Sequence, residues 1–106
     1  MIQRPPMKQH RLAPEVEGEL DSIWFHIASK SGSIEIADRI IENITDRFWL
    51  LARNPHIGRR RDDDLRQGLR SFPAGDYVII YRIENDAVLI LHVVHGSRNI
   101  QALLAD

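Results

Sequence analysis

Four residues in the last third of the chain, Arg70, Arg82, His95 and Arg98, have the types and the positions to handle a negatively charged group. Each falls at or near the end of a segment that reads as a strand. The segments are Gly68 to Pro73, Gly75 to Arg82 and, after the polar turn Glu84-Asn85-Asp86, Ala87 to Arg98. A metal-independent ribonuclease needs a base for the 2′-hydroxyl, an acid for the leaving oxygen and cations for the developing phosphorane-like charge. In that reading Arg70, His95 and Arg98 form the catalytic set, with His95 titrating near neutrality. The competing reading makes one basic rim along the sheet, built from Arg59, Arg70, Arg82 and Arg98, which holds a target and moves no protons. Arginine keeps its charge at cellular pH, offers a planar fork to carboxylate or phosphate, and is a poor general acid–base. We expect the second.

Other chemistry is less well supplied. With no cysteine there is no disulfide, thiolate nucleophile or cysteine-ligated metal. His10, His26 and His56 are scattered, His92 sits inside an apolar strand as a satisfied structural residue, and no metal or cofactor is expected. Asp62-Asp63-Asp64 directly follows Arg59-Arg60-Arg61 and reads as a self-neutralising solvated loop. Ser31, Ser33, Ser71 and Ser97 lack a His-Asp partnership, and there is no glycine-rich phosphate loop.

The elements that must position these residues follow from periodicity. Residues 1–7, with Pro5-Pro6, read as a flexible lead-in, and either Met1 or Met7 could be the natural start. Residues 8–106 read as one domain, opened by a short edge strand over Lys8 to Leu12. Pro14 suits the first position of a helix, in which Val16, Leu20, Ile23, Trp24 and Ile27 form an apolar stripe. Ser31-Gly32-Ser33 links it to a second helix carrying Ala37, Ile40, Ile41, Ile44, Phe48 and Leu51, which ends before Pro55. His56 to Gln67 reads as a polar loop, and Tyr77 to Ile83 and Ala87 to Val94 as central strands buried on both faces. Asn99 to Asp106 can form a last short helix. The fold class is α+β, in the order β-α-α-β-β-β: a two-helix hairpin packed on a small antiparallel-rich sheet. Trp24, Ile41, Phe48, Tyr77 and Tyr81 are expected in the core. Phe25 lies off the first apolar stripe, and Trp49 and Leu50 off the second, which suggests one apolar groove for a partner.

Composition sets outer limits. At 106 residues and 43% hydrophobic content the chain can bury a single core, and its net charge of −1 argues against a free-standing nucleic-acid binder. No apolar run approaches the ~20 residues that span a bilayer and no secretory signal opens the chain, so the cytoplasm is the expected location and a membrane is not an expected partner.

Seven pieces in order carry a resemblance. They are Leu12-Ala13-Pro14-Glu15, Leu20-Asp21-Ser22-Ile23-Trp24, Ala37-Asp38-Arg39, Asn54-Pro55-His56-Ile57-Gly58-Arg59, Leu65 to Arg70, Gly75 to Arg82, and Val93-Val94-His95-Gly96-Ser97-Arg98. The chain resembles the ParE branch of the RelE/ParE superfamily of toxins. The resemblance implies the toxin of a type II toxin–antitoxin module, neutralised by a ParD-like antitoxin whose complex with it represses the operon. DNA would then be met only through the antitoxin. ParE-type members poison DNA gyrase by binding; RelE-type members cut messenger RNA on the ribosome. RelE-like nucleases carry a tyrosine near the C-terminus, and none follows Arg98 here, which favours the gyrase reading over the ribonuclease. A further alternative is a non-toxic module that only binds antitoxin or serves as co-repressor. In the favoured reading Phe25, Trp49 and Leu50 contact the antitoxin, and Arg59, Arg70, Arg82 and Arg98 contact the target.

Overall fold

The computed structural model describes residues 9–104; the lead-in over 1–7 and the choice of start lie outside them. Strand β1 (His10–Leu12) leads into helix α1 (Pro14–Ser31), and α2 (Ile34–Arg53) follows. Pro14 begins α1 with Glu15 and Glu17 in the first turn, at the positive end of the helix dipole. Gly32 stops it in the left-handed conformation, φ 69°, and donates its N–H to the Ala28 carbonyl at 2.9 Å. One residue later the Ser33 hydroxyl accepts the Ile36 N–H at 3.1 Å and starts α2.

The strands β2 (Arg59–Arg60), β3 (Leu69–Ala74), β4 (Tyr77–Glu84) and β5 (Ala87–His95) complete a five-stranded sheet in the order β1-β5-β4-β3-β2. Only the β1–β5 pairing is parallel, so the sheet is antiparallel-rich as expected. Helix α3 (Ile100–Leu104) closes the described chain. Strand β2 is a correction to the polar loop expected over His56 to Gln67. It pairs Arg59 with Ser71 and Arg60 with Arg70, and two arginines carry no alternation from which a strand can be read.

Both helices cover one face of the sheet. Val16 and Ile23 of α1 and Ile44, Phe48 and Leu51 of α2 pack with Ile79 and Tyr81 of β4 and Val88, Ile90 and Val93 of β5. Phe48, Tyr77 and Tyr81 are buried as expected. Ile41 is half-buried and packs against this core, whereas Trp24, also half-buried, lies outside it. Trp24 lies at the rim of the hairpin, where its indole N–H donates to the Asp38 carboxylate at 2.7 Å and ties α1 to α2. A tryptophan needs such a polar outlet, and the helix rim supplies one.

The opposite face is buried only in part. Ile80 and Val94 are buried there, but Arg82 on the same face is exposed, which corrects the expectation of strands buried along their whole length on both sides. On that side Arg61 donates to the Ser71 hydroxyl at 3.0 Å. Gln101 of α3 donates to the Asp64 carbonyl at 2.7 Å and so ties the last helix to the same loop.

Candidate functional site

The sheet register divides the predicted site residues between two ends. At one end Tyr81 is fully buried, donates its hydroxyl to the Pro55 carbonyl at 2.7 Å and accepts the Gly58 N–H at 2.9 Å. A Cβ on residue 58 would stand 2.2 Å from that hydroxyl, so only glycine fits. Burial pushes the phenol above its ordinary range. Arg70 lies opposite Tyr81 on β3 and sends Nη1 to the carbonyls of Gly58 at 2.9 Å and His56 at 3.2 Å. Arg70 is thereby committed to holding the turn after α2. Arg82 shares the Glu84 carboxylate with Arg11, whose Nη2 lies 2.8 Å from it. Arg59 is exposed on β2.

The triple-aspartate loop is self-neutralising, as expected. Asp62 accepts the Gly68 N–H at 2.8 Å and pairs with Arg60 at 2.9 Å, and these hold its carboxyl below the usual range in that order of importance. Asp64 is held low chiefly by its hydrogen bonds from Arg61, whose own pKa is raised in return.

At the other end Tyr77 faces His95 across the β4–β5 ladder, and their rings meet edge to face at 5.4 Å. Burial, with the Asp76 charge beside it, raises the Tyr77 phenol. The His95 Nδ1 lies 2.7 Å from the Ser97 hydroxyl. Tyr77, His95 and Arg98 line a cleft of about 600 Å³ whose other wall is α1, through residues from Glu15 to His26. Glu19, which the sequence reading passed over, organises its floor. One carboxylate oxygen accepts the Val93 N–H at 2.8 Å and the other meets His92 Nδ1 at 2.7 Å. His92 is therefore the satisfied strand histidine expected. The signal for Glu19 was its position on the stripe Glu15, Glu19, Ser22, His26, beside the apolar one.

Four steps along β4 separate Tyr81, opposite Arg70, from Tyr77, opposite His95. At 3.3 Å per residue that is about 13 Å along the strand alone. The single basic rim is thus two sites: Arg70 and Arg82 at one end, Arg98 with His95 at the other. Alternation also sets Arg59 and Arg82 on the face away from the helices, while Arg70 shares the face of Tyr81.

The apolar candidates divide likewise. Phe25 is 68% and Trp49 51% exposed, whereas Leu50 is half-buried. Phe25 borders a groove of about 730 Å³ on α1, with Trp24, Ser29 and Lys30. Trp49 meets His10 edge-on at 4.6 Å, near the opposite end of the antiparallel hairpin. The one groove expected from helical phase is two patches, because residues that share an angular position on a helix need not share a height.

A family model described as the ParE toxin of type II toxin–antitoxin systems, parDE, matches residues 11–100. The chain belongs to this family of toxins. It is 33% identical to Toxin ParE3 of Caulobacter vibrioides, over 84% of this chain and 87% of the relative. It is 34% identical to Toxin RelE3 of the same organism, over 85% and 96%. Among solved structures, a chain of the chromosomal ParDE system from P. aeruginosa superposes with a TM-score of 0.72, covering 84% of this chain and 96% of that one at 19% identity, a likeness of fold.

Proposed function

We propose that this toxin arrests growth by binding DNA gyrase, without chemistry of its own, and that a ParD-like antitoxin restrains it in the cytoplasm. The antitoxin contacts Phe25 and Trp49, with Leu50 contributing from its half-buried position, and the complex meets DNA through the antitoxin. Arg59, Arg82 and Arg98 contact the target; Arg70 shapes the turn beside them. The observation that carries the reading is the register, which keeps Arg70 about 13 Å or more from His95 and so from a common phosphate. Expression without antitoxin, followed by mapping of gyrase-dependent DNA breaks and of messenger RNA ends, tests it. Breaks without codon-positioned RNA cleavage support it, and the reverse pattern overturns it.

A second reading rests on the RelE3 relative and on the pairing of His95 with Arg98 in one cleft: a ribosome-dependent ribonuclease. His95→Gln discriminates, since it removes the imidazole and keeps hydrogen bonding. Loss of both toxicity and RNA cleavage in that variant would favour the nuclease. For the antitoxin surface, Phe25→Ala and Trp49→Ala should each weaken the complex by about 1–3 kcal/mol with the fold intact. Calorimetric titration checks this; unchanged affinity in both variants refutes the assignment.

A further inference from the structure

The turn at 55–58 is held by the sheet as well as by its own bonds. Arg70 of β3 and Tyr81 of β4 together bind four of its backbone groups: the Pro55, His56 and Gly58 carbonyls and the Gly58 N–H. The Ile57 N–H adds a fifth bond, to the Asn54 carbonyl at 3.2 Å. Pro55 is buried. Ile57, on the same fixed backbone, is 47% exposed and stands outside the core cluster. The fold thus fixes the position of an apolar side chain that it does not bury.

The charge around Ile57 has one sign. From Arg47 to Arg61 the chain carries five arginines and no aspartate or glutamate. Three of the five are engaged within the fold. Arg60 pairs with Asp62 and Arg61 with Asp64, and Arg47 donates to the Asn43 and Pro73 carbonyls. Arg53 and Arg59 are exposed, and among the described residues neither makes an ion pair or a side-chain hydrogen bond. Arg53 lies four residues before Ile57 and Arg59 two after, which keeps their Cα atoms within about 14 and about 7 Å of it.

We propose that Ile57, flanked by Arg53 and Arg59, is the anchor by which the toxin docks on its target protein, in an apolar pocket rimmed by carboxylates. Interface centres combine apolar side chains with arginine, and arginine can grip a carboxylate through two bonds. The turn is already ordered, so docking does not have to order it, and Tyr81 and Arg70 hold the anchor in place beforehand. An apolar centre on a chain of net charge −1 suits a protein pocket better than a run of phosphates.

The inference rests on the reading that the toxin acts by binding a protein, and adds which surface docks and what chemistry it meets. Ile57→Asp, the double variant Arg53→Glu/Arg59→Glu and a control, Arg39→Glu, are expressed without antitoxin. Each is also purified and titrated against DNA gyrase holoenzyme. Arg39 is exposed on α2, outside the acid-free segment. All should keep the parent's melting midpoint, since their side chains are exposed. If Ile57→Asp melts lower, Ile57→Ala is read in its place. The first two should lose growth arrest and bind gyrase about tenfold or more weakly. The control and Arg53→Lys/Arg59→Lys should behave as the parent does.

Growth arrest lost in both variants, with no gyrase bound even by the parent, keeps this surface and rejects gyrase. Growth arrest intact in both, with gyrase bound as tightly as by the parent, keeps gyrase and rejects this surface. A parent that neither arrests growth nor binds gyrase overturns both. Binding of the parent to duplex DNA of mixed sequence at physiological salt, lost in the same variants, would assign the patch to nucleic acid and overturn the protein partner.

Discussion

The two ends of the β4 strand use similar residues to opposite purposes. At the Tyr81 end a tyrosine and an arginine spend their hydrogen bonds on the backbone of the turn at 55–58. At the Tyr77 end a tyrosine, a histidine and an arginine line an open cleft, and among the described residues no group hydrogen-bonds the arginine's side chain. Residue type alone therefore does not mark a functional arginine. What marks it is whether the fold has already used its donors.

Six substitutions test that contrast, beginning with the largest expected effect and ending with the smallest. Phe48 belongs to the core cluster that also holds Tyr77 and Tyr81, and truncation to alanine should cost about 3–5 kcal/mol. Thermal unfolding measures it, and a midpoint within error of the parent would show that the core is placed wrongly. Tyr81→Phe strands a carbonyl and an amide at the built end and should cost about 1–3 kcal/mol, with faster hydrogen exchange at Gly58. Tyr77→Phe, at the open end, should change stability by less than about 0.5 kcal/mol.

Arginine replacements sharpen the same comparison. Arg70→Ala should destabilise by about 1–2 kcal/mol, because its donors hold two turn carbonyls. Arg98→Ala should leave stability within about 0.5 kcal/mol and abolish growth arrest. If Arg98→Ala lowers the melting point more than Arg70→Ala does, the distinction between a built end and an open end collapses.

The smallest effect concerns His10 on β1, whose ring packs against Phe48 at 5.6 Å and Trp49 at 4.6 Å. Burial lowers its pKa from the ordinary 6.5, so the folded chain favours the neutral ring. That contribution is complete above 6.5 and is lost as pH falls through the lower folded value, because the unfolded chain binds the proton more readily. His10→Phe should flatten the loss of stability between neutral and mildly acid pH. Equal slopes in urea titrations of parent and variant would exclude His10 as a source of acid sensitivity.

Local signals were enough for the helices and for the long strands, though not for β2. The proline at 14, the glycine at 32, the serine at 33 and the proline at 55 all bound helices in the structure, because capping and φ restriction act within a few residues. The apolar stripes correctly named Val16, Ile23, Ile44, Phe48 and Leu51, and the acid run 62–64 was legible as the neighbour of its own arginines. Trp24 went astray because angular phase says which side of a helix a residue takes, not how far the facing layer reaches.

The chain alone thus determined the first strand, the two amphipathic helices, the three long strands after them without the short β2, the membership signalled by its ordered motifs, and the candidates for binding. Only the tertiary structure decided the partners across strands. Register set Arg70 opposite Tyr81 and His95 opposite Tyr77, split one basic rim into two sites, and limited the pairing of β1 with β5 to Val88–Ile90. Those pairings join residues far apart in sequence. Periodicity constrains each strand by itself, and only the shared core fixes where one strand stops against the next.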